Sequence, residues 1–550
     1  MKFLSNRRTA IGLLLIIFSC VALGSWAKSK QSKESVLHDL EVFAHVINKV
    51  KSFYVDEVDT HRLITTAIED MLKELDPHSQ FLSGLDFEDL MLSTQGQFGG
   101  LGIYISFRDN YPTVISPIEG TPAWRAGIQT GDQIVEIEGQ QTEGWQVQKA
   151  VRYLRGEPNT NVQFKISRPG LSERIEYILV REEIKVKSVT YSGVFDGYGY
   201  VKLASFSRNT RDELRSALRD IEVEGNKGLV LDLRSNPGGL LQAATDVSEL
   251  FLDKDKLIVF TKGRYSQNNH KYYARKGRKF KDYPIVVMIN GASASASEIV
   301  AGAIQDWDAG LVVGQTSFGK GTVQTVFSLS DSQAVKLTTA KYYTPTGRSI
   351  HKDHRSEPAG NVTVGTGDGN DGDDLTTSSR TRSMVQTADN AELGDVSRPL
   401  FRTAAGRDVF GGGGITPDLA FEPQKYGELE RRLERDALFF SFAIDYSTSH
   451  KVGRDFRVTP QVLVSFKQLL ADREFEYEEE KFKESEDYIK RAITREIVSK
   501  NFGRKDMYRV MLKHDVEFQH VLRIFKEAPT LKAMYDYAEQ QNATKKASLK

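Results

Sequence analysis

Cysteine is almost absent from the sequence, which has a single one, Cys20, in 550 residues. One thiol cannot form a disulfide within the chain, and Cys20 lies inside an apolar run near the N-terminus. Cleavage after Ala27 would leave a mature chain with no thiol. The sequence therefore excludes a disulfide framework, a cysteine nucleophile and a cysteine-ligated zinc site in that chain. An enzyme built on it needs another nucleophile.

An excess of either charge is also lacking, because 74 Lys and Arg residues balance 74 Asp and Glu residues. A neutral chain has no global field that attracts nucleic acid or anionic lipid, and we expect no nucleic-acid partner. Apolar residues make up 39% of the sequence and charged residues 27%, as is ordinary for a globular protein. At this length the chain is expected to contain more than one core.

The N-terminal segment departs from this average. An apolar run from Ala10 to Gly24 is followed by the small residues Ser25 and Ala27, and it is preceded by Lys2, Arg7 and Arg8. This order is typical of an export signal. The run is slightly shorter than the ~20 residues of a spanning helix. We therefore interpret residues 1–27 as a signal peptide or a membrane anchor, and expect an exported, periplasmic protein that is soluble or membrane-associated through this segment.

The pattern of apolar residues divides the rest of the chain into regions. Helical spacing predicts packed helices first, and short alternating strands predict a β-rich module after them. Strands that alternate with helices then predict an α/β core with a mostly parallel sheet. The predicted regions are an N-terminal helical region at 28–95, the β-rich module at 96–183, the core at 184–352, a disordered insertion at 353–397, a return segment of the core at 398–423, and a C-terminal helical domain at 424–550. The fold class predicted is multidomain α+β.

The stretch GQTSFGKGTVQ, residues 314–324, has the glycine and lysine spacing of a phosphate-binding loop. Such a loop needs Ser or Thr directly after the lysine to bind magnesium, and a helix after that. Gly321 occupies the Ser/Thr position, and the β-branched residues that follow predict a strand. The sequence therefore argues against nucleotide binding, and Lys320 needs another explanation.

A candidate nucleophile lies in NGASASASEIV, residues 290–300, where small residues join a predicted buried strand to a helix. A helix start offers unpaired amides and the positive end of the helix dipole, which suit an alkoxide or an oxyanion. The alternative is structural. Ser295 and Glu298 match a capping box, and a serine before a helix is more often a cap than a nucleophile.

The predicted strand gives Lys320 a second interpretation, as a base. Alternate residues of a strand share a face, so Lys320, Thr322 and Gln324 are expected to point the same way. A lysine accepts a proton only in its neutral form, which burial in an apolar site favours. The default alternative is a solvated surface charge. None of the ten histidines lies beside these motifs as a competing base.

Four motifs together resemble one protease family. SASASE and FGKGTVQ contain the serine and the lysine, and LDLRSNPGG and LDPHS lie upstream. In these motifs the sequence between about Val36 and Pro423 is similar to the carboxy-terminal processing proteases, also called tail-specific proteases, which use a serine–lysine dyad. The resemblance implies that Ser295 is the nucleophile, Lys320 the general base and Gln324 the residue that orients the lysine.

The resemblance also implies an oxyanion hole. Its two donors would be the amide of Ala296 and the amide of Gly238 or Gly239, where a glycine pair permits close approach. Neither a metal nor another cofactor is expected.

The β-rich module resembles a PDZ domain. The amides of Leu101, Gly102 and Ile103 would hold the carboxylate of a peptide that adds a strand to the sheet. The resemblance also suggests that Arg168 couples this module to the active site, whereas a strand-end arginine is usually only solvated. Two features depart from the commonest family pattern, namely the insertion at 353–397 and the helical tail after Tyr426.

We therefore expect an exported serine endopeptidase that recognises carboxy-termini through a PDZ domain and hydrolyses peptide bonds through an acyl-enzyme on Ser295. Two alternatives are a catalytically silent PDZ scaffold that binds carboxy-terminal tails and a nucleotide-dependent ATPase. The expected partners are proteins or peptides with free carboxy-termini. For the helical tail, three roles stay open: formation of a homo-oligomer, binding of an adaptor or activating lipoprotein, and packing on the core.

Overall fold

The computed structural model describes residues 36–277, 280, 283–352 and 398–548. The predictions for residues 1–27 and for the insertion at 353–397 lie outside these ranges. Among the described residues, no helix combines the length and the apolar character that crossing a membrane requires.

The described residues up to Phe81 form one compact unit, and the described residues from Leu82 onward form a second one. The first unit contains helices α1 (36–53) and α2 (Thr60–Lys73), and the next elements along the chain are β1 (Gln80–Ser83) and α3 (Leu85–Gln95). The LDPHS motif forms a turn after α2. The carboxylate of Asp76 accepts hydrogen bonds from the amide of His78 at 2.8 Å and from the amide and hydroxyl of Ser79 at 3.0 and 2.7 Å.

The β-rich module is an antiparallel sheet of order β3-β4-β5-β7-β8, with β6 beside β5 and a separate β2–β9 pair. Every second residue of β7 is buried, namely Val162, Phe164 and Ile166, because strand side chains alternate between the two faces. The elements are β2 (Gln97–Gly100), β3 (Ile103–Arg108), β4 (Tyr111–Pro117), α4 (Pro122–Arg125), β5 (Gln133–Ile137), β6 (Gln140–Gln141), α5 (Val147–Leu154), β7 (Asn161–Ser167), β8 (Ile175–Val180) and β9 (Glu182–Lys185).

The α/β core has a sheet of order β10-β11-β12-β15-β16-β21, in which only the β10–β11 pair is antiparallel. Its elements are β10 (Val189–Phe195), β11 (Tyr198–Leu203), α6 (Thr210–Glu224), β12 (Leu229–Asp232), α7 (Leu241–Ser248), β13 (Leu257–Gly263), β14 (Lys271–Tyr273), β15 (Ile285–Ile289), α8 (Ala296–Asp306), β16 (Leu311–Gly314), β17 (Thr322–Ser330), β18 (Gln333–Tyr343), β19 (Leu400–Arg402), β20 (Asp408–Phe410) and β21 (Leu419–Ala420). The predicted mostly parallel sheet is confirmed.

A second sheet carries the hairpin that follows Lys320. Strand β17 pairs antiparallel with β18, and β18 pairs with β13. Strand β17 begins at Thr322, so Lys320 precedes the strand rather than lying on it. The expectation that Lys320 shares a strand face with Thr322 and Gln324 was wrong in this respect.

The C-terminal region is helical throughout its described residues after Gly427, apart from short connections. Its helices are α9 (Glu428–Arg435), α10 (Leu438–Ser449), α11 (Pro460–Asp472), α12 (Glu479–Glu484), α13 (Glu486–His514), α14 (Val516–Glu527) and α15 (Leu531–Ser548). Gly503, with φ 81° and ψ −178°, divides α13 into two helices that meet at a kink.

The two faces of the core sheet are covered by different parts of the chain. Leu231 and Val287 pack with α6, α7 and α8, whereas Val230 and Val286 pack with Phe518 and other residues of α14 and α15. The last two helices thus complete the core, because a parallel sheet must be covered on both faces.

Candidate active site

Ser295 lies at the junction that the sequence predicted, between the buried strand β15 and the first residue of α8. Its backbone has φ 55° and ψ −110°, a conformation that residues other than glycine rarely adopt. Such strain persists only where the surrounding structure enforces it, and it is concentrated at functional sites.

The neighbouring serines have structural roles. Ser293 is fully buried and donates its hydroxyl to the carbonyl oxygen of Leu233 at 2.8 Å. Ser297 is also fully buried and donates to the carbonyl oxygen of Asn236 at 2.9 Å. Both hydroxyls therefore tie the small-residue segment to the loop after β12. Ser295, which is only half-buried, differs from them in exposure.

Glu298 connects the serine segment, which we define as residues 290–297, to the loop that contains Lys320. Its fully buried carboxylate accepts from the amides of Ser295, Gly319 and Lys320 at 2.7, 2.7 and 3.0 Å, and from the hydroxyl of Ser317 at 2.6 Å. Burial raises the pKa of this carboxyl to about 7, although the four donors favour the ionised form. The sequence identified Glu298 only as half of a capping box.

Tyr342 of β18 makes a second connection between the same two segments. Its buried hydroxyl lies 3.1 Å from the carbonyl oxygen of Ser295 and also contacts the carbonyl oxygen of Lys320. Burial raises the pKa of the phenol well above its usual value, so the hydroxyl stays a hydrogen-bond donor. The backbones of Ser295 and Lys320 are therefore held by two shared side chains.

Two of the predicted oxyanion residues, Gly238 and Ala296, lie next to the serine. A Cβ atom on Gly238 would be 2.8 Å from Cβ of Ser295 and 3.0 Å from the amide nitrogen of Ala296, so only glycine fits there. The amide of Gly238 itself donates to Oδ1 of Asn236 at 2.9 Å. Gly239, by contrast, is exposed.

Asn236 was missed by the sequence reasoning. It is fully buried, and its side chain donates to the carbonyl oxygen of Leu203 at 2.8 Å while it accepts from Gly238. Its backbone carbonyl accepts from Ala294 and Ser297. Its place in the motif LDLRSNPGG was the only available signal. Tyr342, within AKYYTPTG, had no sequence signal of its own.

Gln324 lies on β17, and its amide nitrogen donates to the hydroxyls of Thr322 at 2.8 Å and Thr338 at 3.4 Å. Thr322 and Gln324 therefore do share a face, as predicted. Both hydrogen bonds use Nε2, so Oε1 is the atom of this side chain that is suited to accept from an ammonium group.

The predicted peptide-binding residues lie in the loop before β3. The carbonyl oxygens of Leu101 and Gly102 accept from the amides of Ala123 and Ile118 at 3.0 and 2.8 Å. Gly102 has φ 77°, and a Cβ atom there would be 2.4 Å from Cβ of Thr121. Ile103 begins β3, which is an edge strand of its sheet within the described residues.

Arg168 lies within the β-rich module and binds Asp132 with two hydrogen bonds of 2.7 and 2.8 Å and the carbonyl oxygen of Gly127 at 2.9 Å. The turn before Asp132 contacts the C-terminal helices, since Lys500 of α13 donates to the carbonyl oxygen of Thr130 at 3.2 Å. The coupling role of Arg168 stays a prediction.

Three family models match the chain. Residues 197–358, which include Ser295 and Lys320, match peptidase family S41, and residues 113–168 match a PDZ domain. Residues 429–484 match the model described as "Probable PDZ-protease, C-terminal helical domain". A peptidase core with a PDZ domain and a helical domain is thus the class that fold and site define.

Named relatives agree with this class. The carboxy-terminal-processing protease of Bartonella bacilliformis is 42% identical over 323 residues, which are 58% of this chain and 74% of the relative. The carboxyl-terminal-processing protease of Synechocystis is 38% identical over 294 residues, 52% of this chain and 68% of the relative. A solved photosystem II D1 C-terminal processing protease is 31% identical and covers 56% of this chain and 89% of its own, with a TM-score of 0.33.

The chain belongs to the carboxy-terminal processing proteases of peptidase family S41. It is a serine endopeptidase with a PDZ domain. The resemblance inferred from the four motifs and the predicted multidomain α+β fold class are confirmed.

Proposed function

We propose that the chain cleaves peptide bonds with a dyad of Ser295 and Lys320. The observation that carries this proposal is that Glu298 and Tyr342 each bind the backbone of both residues. Two groups that act together on one proton must be held at a fixed separation, and shared supports provide this. The strained backbone of Ser295 agrees with a nucleophile presented at a helix start.

In the proposed reaction, neutral Lys320 accepts the hydroxyl proton of Ser295 while Oγ attacks the scissile carbonyl carbon. The tetrahedral intermediate collapses when the protonated lysine returns the proton to the leaving amine, which gives an acyl-enzyme. Water, deprotonated by Lys320, then hydrolyses the ester and releases Ser295. Oε1 of Gln324 would accept a hydrogen bond from the lysine and hold it toward the serine.

For the oxyanion hole we propose the amides of Ala296 and Gly239. The amide of Gly238 already donates to Asn236, so its role is to let the loop approach Ser295 without a side chain. Ala296 is the first residue of α8, where the amide has no partner within the helix. Both donors would stabilise the negative charge that develops on the carbonyl oxygen.

Substrate selection is assigned to the PDZ domain. The amides of Leu101, Gly102 and Ile103 would bind the terminal carboxylate, and the peptide would pair with the edge of β3. Hydrogen bonds direct the carbonyl groups of Leu101 and Gly102 into the domain. This orientation favours amides that face outward. The substrate class is therefore protein or peptide chains with a free carboxy-terminus.

The proposal also includes export to the periplasm, the domain boundaries given above, a homo-oligomer and an adaptor or activating lipoprotein. The charge order and apolar run of residues 1–27 support export. Helices α14 and α15 pack on the core, whereas α9 to α12 share a separate hydrophobic cluster, and we assign partner binding to these four helices.

The test is cleavage of an unstructured protein with an apolar carboxy-terminus by the wild type and by Ser295→Ala, with an amidated version of the substrate alongside. We expect cleavage by the wild type, none by the variant, and slower cleavage of the amidated substrate. Undiminished cleavage by Ser295→Ala would contradict the nucleophile. Equal rates for free and amidated tails would contradict recognition of the carboxylate.

A further inference from the structure

Arg234, in the motif LDLRSNPGG, lies where β12 leads into the oxyanion loop, which we define as residues 234–239. Its guanidinium binds the buried carboxylate of Asp232 with hydrogen bonds of 2.7 and 3.1 Å. Asp232 also accepts from the hydroxyl of Tyr200 at 2.7 Å and from Lys202 at 3.1 Å. The start of the oxyanion loop is therefore fixed by a set of charged groups that are nearly buried.

Two further carboxylates reach Arg234 from the C-terminal helical domain. Asp515 accepts from both terminal nitrogens of the guanidinium at 2.6 and 3.2 Å, and Glu517 accepts from Nη1 at 2.7 Å. The side chains of Arg234, Asp515 and Glu517 are 15, 22 and 17% exposed, so water screens these ion pairs only in part. Three carboxylates thus hold one guanidinium.

Glu517 also contacts the loop on the other side of the site. Its Oε1 accepts from the side-chain amide of Gln315 at 3.3 Å. Gln315 directly follows β16 and begins the base loop, which we define as residues 315–320 and which ends at Lys320. One carboxylate at the start of α14 therefore contacts both loops that frame the serine.

We propose that Asp515 and Glu517 are positioning residues for the peptidase reaction, acting through Arg234 and Gln315 on the oxyanion loop and the base loop. The inference rests on the proposed function, because it assumes that these two loops supply the oxyanion donor and the base. In this role neither carboxylate would touch substrate. Their effect would be on the separation of the reacting groups, where a displacement of about 1 Å can cost ~10²-fold in rate.

The geometry permits a variant that changes the charges alone. Asp515 also caps α14, since Oδ1 accepts from the amide of Phe518 at 2.9 Å, and asparagine is an equally good cap. Helix α14 is held on the core by buried apolar residues that the variant leaves untouched, namely Phe518, Val521, Leu522 and Phe525. The double variant Asp515→Asn, Glu517→Gln should therefore keep the helix in place.

A matched control lies on the same helix. Lys526 forms a 2.9 Å ion pair with Asp196 of the β10–β11 turn, at an exposed site away from the two loops. Lys526→Gln removes an ion pair between α14 and the core without touching Arg234 or Gln315. Both proteins, with the wild type and Ser295→Ala, would be measured for kcat, for KM and for hydrogen exchange of the two loops.

We expect the double variant to lose about 10-fold or more in kcat with KM within about twofold of wild type, and to exchange the amides of both loops faster. Asp515→Glu and Glu517→Asp, which keep the charges, should retain more activity than the neutral variants. The control should match the wild type. Unchanged exchange, or faster exchange with unchanged kcat, would overturn the inference. An inactive wild type, or an active Ser295→Ala, would overturn the proposed function instead, while exchange still decides whether the carboxylates hold the loops.

Discussion

The serine segment and the PDZ loop that contains Leu101 and Gly102, for which we propose carboxylate binding, are both short and rich in small residues. Both are expected to present backbone amides to a substrate. They differ in how they are held. The serine segment is fixed by the buried side chains of Glu298 and Tyr342 and by the backbone carbonyl of Asn236. The loop at Leu101 and Gly102 is fixed by backbone hydrogen bonds and by Thr121. Chemistry requires placement within a fraction of an ångström, whereas capture of a carboxylate tolerates more motion.

The largest effect is expected from loss of the base. Lys320→Ala should lower kcat by about 10⁴-fold, as removal of a member of a catalytic unit does. Lys341→Ala, at an exposed lysine of the neighbouring strand, is the matched control and should keep full activity. Steady-state kinetics on one substrate compare them. Substantial activity in Lys320→Ala would contradict the dyad. It would also mean that the serine segment needs no more precise placement than the PDZ loop.

Glu298→Gln should lower kcat by roughly 10²- to 10³-fold, because the base and the nucleophile would no longer be held together. A glutamine offers one acceptor oxygen where four donors converge, so buried donors lose their partners at a cost of about 1 to 3 kcal/mol in the free energy of unfolding. Kinetics and denaturant unfolding measure both. Glu213→Gln, at a carboxylate bound by the amide of Val189, is the control and should keep kcat.

Glu298 also predicts a dependence of stability on pH. Its pKa rises from 4.5 to about 7 on burial, so between these values the folded state binds more protons than the unfolded state. Stability from this group is therefore lost as pH rises from about 4.5 through 7, by about 3 kcal/mol. The free energy of unfolding, measured against pH for the wild type and Glu298→Gln, should show this loss only in the wild type. Parallel curves would contradict it.

The smallest effect is expected in the PDZ loop. Gly102→Ala places a Cβ atom 2.4 Å from Cβ of Thr121 at φ 77° and should weaken binding of a tail peptide by about 10-fold. Gly120→Ala has a similar φ of 79° but open space around the new atom, so it controls for backbone strain. Calorimetric titration with one peptide measures both. Cleavage of a short substrate that does not use the PDZ domain should be unchanged in each, and equal tail affinities would contradict the role of the loop.

The local parts of the site could be read from the sequence. A buried strand, small residues and a helix start predicted the environment of Ser295, and the glycine pair predicted close approach at Gly238. Gly321, in place of the Ser or Thr that a phosphate-binding loop needs after its lysine, also argued against a nucleotide site at Lys320. These features depend on neighbours within a few residues, for which sequence patterns are informative.

The supports of the site could not be read in this way, because they join residues that are far apart in the chain. Arg234 and Asp515 are 281 residues apart, and Tyr342 is 47 residues from Ser295. The capping-box pattern accounted for Glu298 by itself. It therefore gave no indication that this carboxylate also binds the loop that contains Lys320.

The covering of the core sheet has a consequence for biosynthesis. A ribosome makes Val230, Val286 and Ser295 long before residues 515–548, which cover one face of the sheet and hold Arg234. Until those residues emerge, the sheet has a bare apolar face and the oxyanion loop lacks two of its carboxylate supports. A nascent chain thus contains the serine and the lysine before it contains all of the residues that support them.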